Sequence, residues 1–159
     1  RRTLNEYFDD MPAQGIVAVL SGEAQLDDVL YKSLEFGADI LSGERSSINA
    51  ADLFASKKFK DFIQEMRGRY DTIIIDTPPV LVVPDTRIIA QVADAVLFSV
   101  LWDKTSKQQV EESLRLFHNS NQRVTGLILC QISEKGMKRY GYGGQNGAYA
   151  SYGAKYYNN

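Results

Sequence analysis

The chain has 159 residues, 44% of them hydrophobic and 24% charged, which suits one soluble globular domain with a buried core. A net charge of −2 shows none of the basic excess of a nucleic-acid binder. The lone cysteine, Cys130, excludes an intrachain disulfide and a cysteine metal cluster, and fits a reducing compartment.

From the start, Arg1 to Glu6 is polar with no apolar core following, so no signal peptide is read there. Short strands are expected at Tyr31 to Phe36 and at Ala38 to Leu41. Between Ala51 and Arg67 the residues Leu53, Phe54, Phe59, Phe62, Ile63 and Met66 recur every three or four positions. Lys57, Lys58, Lys60, Asp61 and Glu65 fall on the other side, the pattern of one amphipathic helix. "TIIID" (Thr72 to Asp76) is apolar without alternation and predicts a strand buried on both faces. A short helix is predicted over Thr86 to Val92. "AVLFSVL" (Ala95 to Leu101) predicts a second buried strand. The apolar runs around Ile73 to Val83 and Ala95 to Trp102 are too short or too interrupted to cross a bilayer.

Val110, Leu114 and Phe117 set an apolar stripe on a helix from Ser106 to His118, with Thr105 and Gln108 placed as a capping box. His118, in its last turn, complements the helix dipole. "VTGLILC" (Val124 to Cys130) is a third buried strand, and Trp102 is expected to pack at the end of the second. Alternating buried strands and amphipathic helices predict an α/β fold with a mostly parallel sheet and helices on both faces. From Glu134 to Asn159 the aliphatic periodicity stops and glycine, tyrosine and asparagine dominate, the composition of a flexible tail.

The most informative stretch is "YDTIIIDTPPVLVVPD", Tyr70 to Asp85. A strand through Ile73, Ile74 and Ile75 would deliver Asp76 to the carboxyl edge of the sheet, where open α/β sheets bind ligands. Pro78 and Pro79 cannot extend a ladder, so the strand must stop. Aliphatics followed by an aspartate are the shape of a Walker B segment, whose carboxylate positions Mg²⁺ on a nucleotide. A buried strand whose aspartate merely begins a turn has that shape too; "TPP" and the second aspartate, Asp85, make the match more specific.

On these residues the chain resembles the bacterial tyrosine autokinases (BY-kinases), the cytoplasmic partners of polysaccharide co-polymerases, which are similar to MinD- and ParA-like P-loop ATPases. Their Walker B strand ends in "DTPP" or "DSPP", with an aspartate several residues later, where Asp85 stands. "GIVAVLSGEAQLDDVL" (Gly15 to Leu30) and "LSGERSSINAADLFAS" (Leu41 to Ser56) resemble two further family segments, the second with Asn49 in register and Ala50 in place of a proline. The glycine-punctuated cluster Tyr140, Tyr142, Tyr149, Tyr152, Tyr156 and Tyr157 resembles the family's phosphoacceptor region.

The resemblance implies a P-loop NTPase fold over residues 1–133, followed by the tail 134–159. It implies Asp76 as the Mg²⁺-positioning carboxylate, Thr77 beside it at the ATP site, Asp85 as a second catalytic acid, and the six tyrosines as acceptors. It implies an ATP-dependent tyrosine autokinase acting in trans within a ring-like homo-oligomer and regulating exopolysaccharide or capsule synthesis. Polysaccharide export proteins and a tyrosine phosphatase would be its partners, at the cytoplasmic side of the bacterial inner membrane, with anchoring through parts outside this chain.

Two departures from the family accompany it. No G-x-x-x-x-G-K-[ST] loop occurs in the sequence, and Arg1 and Arg2 resemble the end of the Walker A′ run, so the domain reads as N-terminally incomplete. Loop amides, lysine and hydroxyl make most of the phosphate contacts, so this chain alone is expected to bind ATP and Mg²⁺ weakly and to be inactive. Cys130 also stands where relatives place an adenine-reading asparagine, and a thiol is a weak donor and acceptor.

The tail has a charge logic of its own. Lys135, Lys138, Arg139 and Lys155 against Glu134 give +3, and each phosphotyrosine would add about −1.5 to −2. About 25 flexible residues reach roughly 25–30 Å, enough to enter a neighbouring subunit. Two other readings stay open on sequence alone: a MinD/ParA-like ATPase switch with a tail of other purpose, and a non-catalytic interaction module.

Overall fold

The computed structural model of the chain describes residues 8, 10–35, 37–43, 50–133 and 136–137. They fall in two units, Arg1–Val92 and Ala93–Asn159.

The first unit opens with helix α1 (Ile16–Ser21), preceded by Gly15 and closed by Gly22 in the left-handed conformation, φ 84°. Gly22 and Glu23 return their amides to Val19 and Ala18, satisfying the last carbonyls of the helix. The short helix α2 (Leu26–Val29) runs straight into strand β1 (Leu30–Ser33). Strand β2 (Ala38–Leu41) folds back on β1 antiparallel, with Leu30 opposite Leu41 and Ser33 opposite Ala38. The two expected strands thus form a hairpin, turning through Gly37 at φ 59°. Beyond it, Ser42 accepts the amide of Ile16 at 3.0 Å, so the hairpin returns to the start of α1. That approach is why residue 15 is glycine: a β-carbon there would lie 2.9 Å from the Ser42 carbonyl carbon.

The single helix expected from Ala51 to Arg67 is two helices, α3 (Ala50–Ala55) and α4 (Lys57–Arg69). Ser56 separates them. Its backbone turns to φ −67°, ψ 156°, and its hydroxyl accepts the Phe59 amide at 3.2 Å while donating to the Leu53 carbonyl at 2.6 Å. A serine hydroxyl competes for backbone partners, and here it ends one helix and caps the next. The apolar stripe continues across the break, with Phe59, Ile63 and Met66 buried on α4. Leu20, Phe59, Ile63 and Ile89 form the core of this unit, and Leu53, Phe54, Phe62 and Ile75 pack against it. Phe54 meets Phe59 edge-on at 5.1 Å, the favoured aromatic geometry. The helix expected over Thr86 to Val92 is α5 (Asp85–Ile89) followed by a 3₁₀ turn, Ala90–Val92.

Thr72 to Asp76, expected as a doubly buried strand, belongs to no ladder. Ile75 packs against the core, whereas Ile74 is 89% exposed. β-Branched side chains favour strand conformation, but a strand exists only where a neighbour supplies the ladder. Among the described residues of this unit, none pairs with this segment.

The second unit is a β-α-β element. Strands β3 (Leu97–Leu101) and β4 (Gly126–Cys130) pair in parallel, Leu97 opposite Gly126 and Leu101 opposite Cys130. Helix α6 (Lys107–Asn119) connects them, as a parallel pair requires. Its capping box is Ser106 with Gln109, one residue later than expected; Thr105 instead accepts the Leu101 amide at 3.1 Å. Phe117, 2% exposed, and Ser113 form the buried face of α6, and Phe117 meets Phe98 of β3 edge-on. Leu97, Leu127, Ile128 and Leu129 remain exposed, so full burial of these two strands is not realised. Among the described residues no helix is long and apolar enough to cross a membrane.

Candidate active site

The chain approaches Asp76 through an anchored helix end. Tyr70, just past α4, donates its hydroxyl to Asp39 of β2 at 2.7 Å. Partial burial, then this hydrogen bond to the Asp39 carboxylate, holds the Tyr70 phenol above its ordinary pKa. Arg69 pairs with Asp27 of α2, and that hydrogen bond holds the Asp27 carboxyl below its ordinary value. The C-terminal end of α4 is therefore tied to both α2 and the hairpin, which fixes where the Asp76 segment begins.

Asp76 itself is exposed and Thr77 is half-buried. The chain then turns: the amides of Val82 and Val83 both bond the Pro79 carbonyl, at 2.9 and 3.3 Å. Pro84 caps α5 and receives the amides of Arg87 and Ile88. Asp85 is the first residue of α5 and half-buried, in a first turn that favours negative charge. Buried Thr86 donates its hydroxyl to the Pro78 carbonyl at 2.6 Å, closing the loop between the two aspartates. Pro78, Pro79 and Pro84 have no amide hydrogen to leave unpaired in this turn. Two carboxylates therefore stand at the two ends of one loop with a fixed crosslink.

Among the described residues, no three His, Cys, Asp or Glu side chains gather as a metal-ligand set. An exposed aspartate still suits Mg²⁺, which takes one or two carboxylates and completes its shell with water and substrate phosphates. Asp76, exposed at the start of the loop, has the chemistry for that limited role. The six tail tyrosines, from Tyr140 to Tyr157, lie outside the described residues, as does Asn49.

The second unit holds a feature the sequence did not disclose. At the carboxyl ends of β3 and β4 lies a cavity of about 390 Å³, bordered by Trp102, Lys104, Gln131 and Ser133 among others. Asp103 and Gln131, at its rim, both have left-handed backbones, each at φ 56°. Trp102 donates its amide to the Cys130 carbonyl at 3.0 Å, which locks the two strand ends together. Trp102 does pack at its strand end, but as a cavity wall. Cys130 is half-buried, its thiol 3.7 Å from the Ile128 carbonyl, a small apolar filler in its own strand. The available signal was positional: residues just past parallel strand ends line ligand sites.

No protein-family model matches the chain. It is 34% identical over 132 residues to the tyrosine-protein kinase ptk of Acinetobacter johnsonii, covering 83% of this chain and 18% of that protein. It is 29% identical to the tyrosine-protein kinase YwqD of Bacillus subtilis, covering 82% of this chain and 55% of that protein. Among solved structures, the VpsO kinase domain matches with a TM-score of 0.72 and 31% identity, over 76% of this chain and 60% of that one. The chain therefore spans less than a fifth of ptk and about half of YwqD. It shares the α/β fold of the VpsO kinase domain.

Proposed function

From a chain homologous to bacterial tyrosine-protein kinases over most of its length, we propose that the intact protein is an ATP-dependent protein-tyrosine autokinase regulating exopolysaccharide or capsule synthesis and export. Asp76 positions Mg²⁺ on the nucleotide, Thr77 lies at the phosphate end, and Asp85 is the second acidic group. Tyr140, Tyr142, Tyr149, Tyr152, Tyr156 and Tyr157 are the acceptors, carried by the C-terminal segment into a neighbouring subunit of a ring. The protein works at the cytoplasmic side of the inner membrane beside polysaccharide assembly and export proteins, and a tyrosine phosphatase resets the tail.

The observation that carries this reading is the exposed Asp76, held on a loop whose far end bears Asp85 and whose span is fixed by the Thr86–Pro78 hydrogen bond. Phosphoryl transfer asks a protein for position and charge rather than covalent chemistry. A carboxylate on a crosslinked loop gives a metal a fixed address without the cost of ordering the loop on binding. Asp76 would hold Mg²⁺, which would supply positive charge against the negative charge that develops on the transferred phosphate. The chain's own contribution is the anchored approach through Tyr70 and the stiff turn through Pro78 and Pro79.

The test is phosphotyrosine mapping by mass spectrometry on the full-length protein with ATP and Mg²⁺, beside its Asp76→Asn variant. Phosphate on the tail tyrosines of the wild type, lost in the variant, is the expected result. A wild type carrying no phosphotyrosine overturns the kinase reading in favour of an ATPase switch or an interaction module.

A further inference from the structure

The cavity at the ends of β3 and β4 has one border that belongs to neither strand end. Gly136 lies against the indole of Trp102 so closely that a β-carbon at 136 would fall inside the contact radii of Cη2 and Cζ3, and 3.3 Å from Cζ2. Ser133 makes the turn that brings it there. The Gly136 amide donates to Ser133 Oγ at 3.1 Å, and the Met137 amide donates to the Ser133 carbonyl at 2.9 Å. The Trp102 main chain is held from behind by the hydrogen bond its amide donates to the Cys130 carbonyl. The main chain that bears the indole is thus anchored, and only a glycine fits this close against the ring.

We propose that Trp102, Ser133 and Gly136 form a clamp that seats the root of the C-terminal tail on the second unit and sets how far each tail tyrosine can travel. Tyr140 and Tyr142 follow Gly136 by four and six residues. Even fully extended, they reach only about 14 and 21 Å from the clamp, at roughly 3.3–3.6 Å per residue. Tyr157, twenty-one residues on, reaches on the order of 70 Å. With the clamp open, the tail would hang from the end of β4 near Gln131, and the reach of Tyr140 would rise to about 30 Å. The clamp divides the acceptors into a short-tethered pair and a long-tethered group. The clamp stands on geometry alone; its consequence for phosphorylation rests on the kinase reading above.

The chain has one tryptophan, so its emission reports on Trp102 alone. Gly136→Val is expected to red-shift that emission and to increase its quenching by acrylamide. Limited trypsin digestion, followed by mass spectrometry, gives a second readout that needs no kinase activity. A protease must draw several residues on each side of the cut into its cleft, so a root held at Gly136 protects the bonds after Lys138 and Arg139. In the wild type these are cut several-fold more slowly than the bond after Lys155; in Gly136→Val the difference disappears. Ser133→Ala, which removes only the hydroxyl that receives the Gly136 amide, shifts both readouts the same way by less. Circular dichroism confirms that both variants keep their helices.

Emission and cleavage ratios that match the wild type in Gly136→Val overturn the clamp. In the full-length kinase, opening the clamp raises the share of phosphate on Tyr140 and Tyr142 relative to Tyr156 and Tyr157. An unchanged share alongside changed emission and cleavage overturns the assignment of reach. A wild type without phosphotyrosine counts against the kinase reading alone, with emission and cleavage still deciding the clamp.

Discussion

Thr72 to Asp76 and Leu97 to Leu101 carry nearly the same message in sequence, a short, mainly apolar run that reads as a buried strand. One ends as an unpaired segment leading into a proline turn; the other is laddered to β4 and backed by α6. The difference lies in what surrounds them. Composition states how much apolar surface a segment needs to hide, while pairing depends on whether another backbone lies beside it. The unpaired run carries the proposed catalytic carboxylate, and the paired one carries stability.

The sharpest way to break that contrast is to empty each region in turn. Phe117→Ala removes the most buried large side chain of the second unit and should cost about 3–5 kcal/mol. Ile74→Ala, in the unpaired segment, should stay within about 0.5 kcal/mol because the side chain is already in water. Urea unfolding of the two variants beside the wild type measures both; a similar cost at the two sites would erase the distinction.

Asp76→Asn tests the opposite assignment. It should lower the tail-phosphorylation rate of the full-length protein at least about 10²-fold, the scale for losing one preorganised electrostatic group, with stability unchanged. A radiolabelled ATP assay alongside thermal melting reads both quantities. Stability lost together with rate would make Asp76 a structural residue like those of the paired strand.

Ser106→Ala removes the hydroxyl of the α6 capping box and should cost about 1 kcal/mol, and Ser56→Ala should cost a similar amount at the start of α4. Near-equal costs by chemical denaturation would show that the helices of both units rest on the same local chemistry, whatever their strands do.

The smallest effect is in pH. The Tyr70 phenol is raised in the folded chain, so its contribution is complete below the ordinary tyrosine pKa near 10 and is lost as pH rises through the folded value. Stability should fall more steeply above pH 10 in the wild type than in Tyr70→Phe. The Asp27 carboxyl, which is lowered, acts in the other direction: its contribution is present above about pH 4 and fades as pH falls through the folded value. Asp27 is well exposed, so the acid side of the curve should change little.

Much of the architecture could be read from residue order. The stripe of Val110, Leu114 and Phe117 predicted α6 to within a residue at each end, and "AVLFSVL" and "VTGLILC" contain β3 and β4. The hairpin strands were placed, but their antiparallel sense was not, because pairing direction is a property of two segments. The break at Ser56 escaped because the apolar spacing from Leu53 to Met66 runs straight through it. Its sign was the serine itself, three residues before the phenylalanine whose amide it caps. Thr105 and Ser106 both suit an N-cap, and only backbone geometry decides between them. Asp76 and Asp85 were legible as a motif; the Thr86 hydroxyl that closes the loop between them was not. Nor was the cavity, which depends on two left-handed residues and a glycine lying on an indole, none with a periodic signature.

Gly15 lies against the main chain of Ser42 and Gly43 directly follows Ser42 in sequence, yet the two glycines obey different rules. At position 43 a side chain would meet open space, whereas at 15 it would strike the main chain of Ser42, which no rotamer change can move aside. A side chain at 43 would fit without displacing anything, whereas one at 15 is excluded by its neighbour's backbone. Two identical letters in the alphabet of this protein thus carry unequal information: one is a habit of composition, the other a record of where the hairpin lands.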